Sequence, residues 1–399
     1  MEFMGYKRPD GRVGVRNYFA VIPSVFCANK TAERIAQAIP EAVLLRHAVG
    51  CAQVGLDLEL TSRTLNAMGT HPNVGGVLVV GLGCERYRPE ELFENVKKSG
   101  KPVAMVIIQD EGGTTNAVKK GIELGLKIAA QVKRIEREKC DVKDLIIATK
   151  CGGTDATSGL AANPVVGNMA DRIVAAGGSV ILSELNELIG TEDMLAKRAV
   201  NDEVKKKVYD AVYEIENLLK NSIDLSLGEN RNQLISPGNF AGGVSSVVEK
   251  ALGGVHKSGT SPIVDVLEYA ERPLPDKKGL FLMNYESHDG EVVTGMVGCG
   301  AQIVAFTTGK GNPAGHPLTP VIKVTGNERT FENMRENFDF DASPVISKGI
   351  TVEEQGLKFL NMVIDVANGR ETAAEAIGAD ELFCVGRRTG YHKPVSCQA

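Results

Sequence analysis

The sequence lacks the features that would assign it to several broad classes. No stretch is rich in lysine and arginine, and no basic residues interleave with aromatics. The 45 Lys and Arg against 50 Asp and Glu leave a formal net charge of −5. A nucleic-acid backbone calls for the opposite sign, so no nucleic-acid partner is expected. No apolar run approaches the length of a membrane span, and the opening MEFMGYKRPDGRVGVRN has no apolar signal segment. The expectation is a cytoplasmic chain without membrane attachment. CxxC pairs are absent, so the eight cysteines follow no zinc-ribbon spacing. In an intracellular chain of this size they are core residues, metal ligands or redox groups rather than a disulfide framework. GxGxxG is missing from the first strand–helix turn, and no GxSxG, HExxH or EF-hand pattern occurs. GKGNPAG at 309–315 begins like a phosphate loop, but Pro313 and Pro317 interrupt the helix that such a loop should open, and no GK[ST] ending follows.

What is present reads as an α/β protein. At 399 residues the chain exceeds one ordinary core, and 43% hydrophobic with 24% charged residues is the balance of a globular fold. Apolar runs of strand length at 17–25, 42–49, 75–82, 103–109 and 144–149 alternate with helical patterns at 31–39, 58–68, 89–99 and 114–139. The alternation resumes with a helix at 163–178, a strand at 179–185 and a charged helix at 202–222. Strands are expected again at 279–285, 301–308 and 320–325, with helices near 328–338 and 352–367. Continuous apolar strands separated by helices predict Rossmann-like parallel sheets with helices on both faces, in two or three units. The expected units are 1–140, 141–275 and 276–399. Residues 225–275 are glycine- and serine-rich and read as a connecting or lid region with one helical piece, VSSVVEKAL.

Cysteines mark one edge of these sheets. Cys27, Cys51, Cys84 and Cys151 each follow a predicted strand, at the carboxyl edge where open α/β sheets bind ligands. A buried free cysteine also serves as a small hydrophobe, and that reading is kept for Cys140, Cys384 and Cys397. His47 precedes Cys51 in RHAVGC, and Asp110 and Glu111 end the fourth strand. Thiolate, imidazole and carboxylate thus gather at one edge, although His47 also suits a structural hydrogen bond and the two acids a helix N-terminus. TKCGGTDATSGLAANP at 149–164 surrounds Cys151 with glycines and short polar groups. Thr154, Asp155, Ser158 and Asn163 are candidates to read substrate hydroxyls or carboxylate, and Asn163-Pro164 equally suits a helix cap.

GYKRPDGRVGVRNY, RHAVGCAQVG, HPNVGGVLVVGLGCE, KCGGTDATSGLAANPVVGNMADRIVAAGGSVILSE and GCGAQIVAFTTGKGNPAGHPLTPVIKVTGN together resemble the large, C-terminal portion of the altronate/galactarate dehydratase family. The (2R)-sulfolactate sulfo-lyase large subunit belongs to the same family. Single-chain members begin with an additional small β-rich domain, whereas this chain starts at GYKRPDG. The resemblance implies a large subunit partnered by a separate small β-rich chain, in an oligomer. It implies β-elimination from a 2-hydroxy acid with Fe(2+) as cofactor, on altronate or galactarate, or on sulfolactate with sulfite leaving. A non-catalytic metal-binding scaffold is the reading from a different class. A metal suits such chemistry because it stabilises the enolate charge and assists the leaving group. Two forms remain open: a mononuclear ferrous site, or a [4Fe-4S] cluster held by three cysteines with one iron free. The expected roles are Cys51, Cys84 and Cys151 around the metal with Cys27 as a fourth. His47 is first choice as base or further ligand and Lys150 second, while Arg12, Arg16, Lys310 and His316 are carboxylate grips.

Overall fold

The computed structural model describes residues 1–222 and 236–388, with the side chains of 220–222 left aside. Near the N-terminus β1 (Glu2–Lys7) pairs antiparallel with β2 (Val13–Gly14). Next, β3 (Tyr18–Pro23), β4 (Ala42–Leu44), β5 (Val74–Gly81) and β6 (Val103–Ile107) form a parallel sheet in the order β4-β3-β5-β6. The strand β7 (Glu138–Asp141) returns to β1, completing an antiparallel sheet β2-β1-β7. The larger sheet contains β8 (Ile146–Gly152), β9 (Ser179–Leu182), β10 (Ile263–Leu267), β11 (Leu280–Met283), β12 (Ile303–Thr308), β13 (Val321–Thr325) and β14 (Phe340–Asp341). All seven run parallel in the order β10-β11-β9-β8-β12-β13-β14.

Alternation along each strand explains the layers. In β3, Phe19 and Val21 face the helices Asn29–Gln37 and Thr114–Val132, whereas Ala20 and Ile22 face Gly55–Gly69 and Pro89–Lys98. In the larger sheet, Ile147, Val180, Leu282 and Ala305 pack under Asn163–Ala175 and Val352–Ala367. Ala148, Ile181, Phe281 and Val304 face the opposite way, toward the helix Asp289–Gly298. That second layer is continuous with Ile22, Leu65 and Val79 of the smaller sheet, so the two parallel sheets share one core.

Several expectations need adjustment. The helix expected over 114–139 ends at Val132, because 138–141 pairs with β1 as β7. The strand expected over 42–49 shortens to Ala42–Leu44, since His47 bends the chain back toward Pro23. Within 225–275, where a connecting region was expected, the described residues carry helices Pro237–Ala241 and Val247–Val255 and the edge strand β10. The seven-stranded sheet draws β8, β9 and β10 from before residue 275 and its other strands from after it, so 141–275 and 276–388 are built into one sheet.

Candidate active site

Strand order reverses between β8 and β12. From β8 the chain crosses to β9 on one side, and from β12 it crosses to β13 on the other. The diverging connections open a crevice at the carboxyl ends of β8 and β12, the switch point where open α/β sheets take ligands. Lys150 and Lys323 stand on either side of Phe306 in one register row across β8, β12 and β13. Same-row residues point to the same face, so both lysines lie over the Phe306 ring, with Nζ 5.4 and 3.6 Å from its centroid. Cys151, one residue on, points to the other face.

A buried cluster of charges joins the two faces around the strand ends. Lys150 Nζ donates to Glu184 at 2.5 Å and pairs with Asp289 at 2.8 Å. Lys257 donates to Glu184 and, at 2.8 Å, to Cys151 Sγ. The Cys151 thiol donates to Glu187 at 3.1 Å, and Lys250 pairs with Glu187 at 2.8 Å. Glu184 also accepts from the Cys151 backbone N–H at 3.0 Å. It stands two residues beyond β9 with φ +69, a left-handed backbone that is costly for a side chain and concentrates at functional sites.

The electrostatics separate these groups. Burial opposes the charge on Lys150, but Glu184, Asp289 and Glu187 outweigh it and hold the ammonium well above the ordinary lysine range. Lys150 is therefore held protonated, which argues against the role of base expected from the sequence. Burial and the two glutamates push the Cys151 thiol up to about 12. Burial also penalises the Glu187 carboxylate, yet Lys250, Lys150 and Lys257 hold it down to about 2. Lys323 behaves oppositely: it is fully buried with no hydrogen-bond partner among the described residues, and burial lowers its amine to about 7.

The loop after Cys151 is held by its own polar groups. Asp155 caps the helical run that follows, accepting from Ser158 N–H at 3.1 Å, and also binds Thr157 Oγ1 and Asn327 Nδ2. The cap thus lies at Asp155 rather than at Asn163-Pro164. A π turn over Ser158–Ala162 feeds into the helix Asn163–Ala175, where Pro164 has no N–H to give. Asn163 accepts from Thr307 Oγ1 at 2.7 Å and donates to Gly253 at 2.9 Å. The Thr154 backbone N–H donates to Asn239 Oδ1 at 3.0 Å, and with Asp155, Lys250 and His256 Thr154 lines a cavity of about 240 Å³.

Other expected site residues lie elsewhere. Cys27, Cys51 and Cys84 are exposed at the carboxyl edge of the smaller sheet, so Cys151 is not part of their group. His47 is buried, with Nε2 bonded to Pro23 O at 2.7 Å and Nδ1 accepting from Val49 N–H at 3.3 Å. Neither nitrogen is left for a metal or a proton transfer, and burial keeps the ring neutral by lowering its pKa. Arg12 binds Asp10 and Thr70 O, and Arg16 binds Glu375 through two nitrogens plus three carbonyls. Both are structural. Arg16 and His316 border a larger cleft of about 1040 Å³ that contains no member of the charge cluster. The His316 ring, lowered by burial to about 3, packs edge-on against Phe383. Lys310 is exposed, but its backbone N–H binds Gly153 O beside the crevice. Asp110 and Glu111 precede the helix Thr114–Val132, Cys140 is core, and Cys384 lies with His288 and Glu291. Cys397 falls outside the described residues.

Sequence reasoning missed Glu184, Glu187, Lys257, Lys250, Asp289 and Lys323. Two carried a signal: Lys323 interrupts the apolar run PVIKVT, and Glu184 interrupts SVILSEL near its end. A charge inside a continuously apolar strand must be paired or functional. Lys257 and Asp289 carry no such mark, because neither interrupts an apolar strand.

Comparison with known proteins agrees with this architecture. Residues 5–133 match the family described as D-galactarate dehydratase/Altronate hydrolase, second domain, and residues 142–389 match D-galactarate/Altronate dehydratase, C-terminal. The (2R)-sulfolactate sulfo-lyase subunit beta of Chromohalobacter salexigens is 36% identical over 381 residues, covering 95% of this chain and 96% of that protein. The altronate dehydratase of Bacillus subtilis is 35% identical over 381 residues, covering 92% of this chain and 74% of the relative. The galactarate dehydratase (L-threo-forming) of Escherichia coli is 33% identical, covering 92% and 73%. The chain therefore belongs to the D-galactarate/altronate dehydratase family of lyases.

Proposed function

We propose that this chain is the large, catalytic subunit of an iron-dependent lyase that dehydrates a sugar acid such as altronate or galactarate to a 2-keto-3-deoxy acid. The carrying observation is the opposed pair of lysines in one sheet row, Lys150 held protonated and Lys323 lowered to about 7. One fold thereby keeps an acid and a base ready at neutral pH.

The donor set fits a metal. Cys151 Sγ and carboxylate oxygens of Glu184 and Glu187 lie within 4.8 Å of one another, and thiolate with carboxylate suits ferrous iron. A thiol pushed up to about 12 needs a cation beside it to deprotonate at neutral pH. When bound, the ion supplies Lewis-acid stabilisation of an enolate-like charge. Lys323, as the neutral amine, takes the proton from C2. The released electron pair forms the C2=C3 double bond as the C3–O bond breaks, and the Lys150 ammonium gives a proton to the departing hydroxide, making water. The enol then becomes the 2-keto acid. Thr154, Lys250 and Lys310 are proposed to contact the substrate, and Asp155, Ser158 and Asn163 to shape the loop around it.

A second reading, loss of sulfite from (2R)-sulfolactate, draws support from the relative aligned over 96% of its length. That relative is named a subunit, which supports a separate small chain as partner. Product analysis of the anaerobic, iron-loaded two-chain complex tests both. Keto-deoxy acid from altronate or galactarate supports dehydration, sulfite from sulfolactate supports the second reading, and neither product overturns both.

A further inference from the structure

We infer that Cys27, Cys51 and Cys84 together hold an iron–sulfur cluster at the carboxyl edge of the four-stranded sheet, separate from the Cys151 centre. This site goes beyond the proposed lyase reading and does not depend on it. The three cysteines follow β3, β4 and β5, which are neighbours in the order β4-β3-β5. Neighbouring strands lie about 4.8 Å apart, so three adjacent loops span roughly 10 Å.

Backbone contacts draw the loops closer still. Phe26 N–H donates to Val49 O at 2.9 Å, and Gly50 adopts φ +101 with its backbone against Ser24. A Cβ at Gly50 would stand 2.7 Å from Ser24 O, so this approach requires glycine. On the other side, Ser24 Oγ donates to Glu85 at 2.5 Å, and the same carboxylate accepts from Leu82 and Gly83 N–H. His47 and Asn29 stitch the Cys27 and Cys51 loops through Pro23 O and His47 O. The result is a rigid frame around three thiols that are exposed and free. The Cys27 thiol bonds its own backbone and, among the described residues, none of the three thiols bonds another side chain, unlike Cys151. Cys51 and Cys84 both lie near enough to the Cys27 thiol to act on it electrostatically.

The ligand class follows from softness and spacing. Three thiols, beside a Glu85 carboxylate already occupied by Ser24, Leu82 and Gly83, select iron–sulfur clusters or zinc. A single tetrahedral ion with bonds of about 2.3 Å needs sulfurs about 3.8 Å apart. Among the described residues, the donor sets within 4.8 Å of one another are His288, Glu291 and Cys384, and Cys151, Glu184 and Glu187. The wider triangle of Cys27, Cys51 and Cys84 suits a cluster, with a different iron on each thiolate.

The test uses the full chain, purified anaerobically, incubated with ferrous iron and inorganic sulfide and then desalted. Wild type is expected to retain iron and acid-labile sulfide in similar amounts, with broad thiolate-to-iron absorption in the visible. Cys27→Ser, Cys51→Ser and Cys84→Ser should each lose most of the labile sulfide, whereas Cys140→Ser and Cys151→Ser should keep it. Wild type without labile sulfide, iron retained without sulfide, or full sulfide in Cys51→Ser would each overturn the proposal. Turnover is read separately: loss of activity in Cys151→Ser with labile sulfide intact bears on the lyase centre alone.

Discussion

Lys323 sits in the middle of β13 with its amine buried over an aromatic ring, an arrangement that costs stability and that a role in catalysis would explain. Replacing it with methionine is expected to reduce turnover at least about 100-fold, the scale of a lost general base. The wild-type rate should rise as pH climbs through about 7, because the amine must be neutral, and the residual rate of Lys323→Met should lack that limb. Stability responds in a defined direction. The folded pKa lies below the ordinary 10.5, so between about 7 and 10.5 the unfolded chain binds more protons and wild-type stability rises with pH. Lys323→Met should flatten that rise and raise stability at pH 7, measured by denaturant midpoints across this range. Cys151 is a second residue-scale test. Cys151→Ser should bind less iron and abolish elimination with unchanged circular dichroism, whereas survival of both properties would return the thiol to the core.

Helix and strand ends decide where these side chains meet. The helix Asn163–Ala175 crosses the turn that carries Lys257 at Gly167, where an added Cβ would stand 1.9 Å from His256 O. Gly167→Ala must push that turn away and shift Lys257 from Glu184 and Cys151. We expect about 1–3 kcal/mol of destabilisation from overpacking, with a fall in turnover larger than the stability loss explains. Urea unfolding and steady-state kinetics on one preparation would separate the two. The end of β9 offers a complementary test. Glu184→Gln keeps the shape but removes the charge compensating Lys150 and Lys257, so a loss of about 3–5 kcal/mol is expected. An unchanged urea midpoint would mean that the ammoniums find other partners.

Across the whole molecule, the layer shared by the two parallel sheets ties their stabilities together. The Arg16–Glu375 pair joins the N-terminal segment to the chain beyond residue 366, with side chains only 10% and 17% exposed. Arg16→Ala leaves Glu375 without its guanidinium and should cost about 3–5 kcal/mol. Because Arg16 lies outside the charge cluster, KM should not change, and a large rise in KM would restore it as a carboxylate grip. With a common core, near- and far-ultraviolet dichroism should report one coincident unfolding transition in wild type.

Local patterning was enough to make the architecture and one important edge legible. Continuous apolar strands between amphipathic helices specify parallel sheets covered on both faces, and glycine-flanked cysteines after those strands mark the carboxyl edges. Strand β10 escaped because IVDVL is a short edge segment with Asp265 at its centre, and β1 with β7 because an edge pairing carries little apolar signal. The sequence by itself therefore determined the α/β class and the family resemblance, and it singled out the Cys151 loop as a candidate. Only the tertiary structure decided that Cys151 stands apart from Cys27, Cys51 and Cys84, that His47 is structural, and that Glu184, Lys257 and Lys323 complete the crevice. Those three come from separate segments, and their meeting depends on which strand lies beside which. Strand order is set by long-range packing and crossover direction, which no local period encodes.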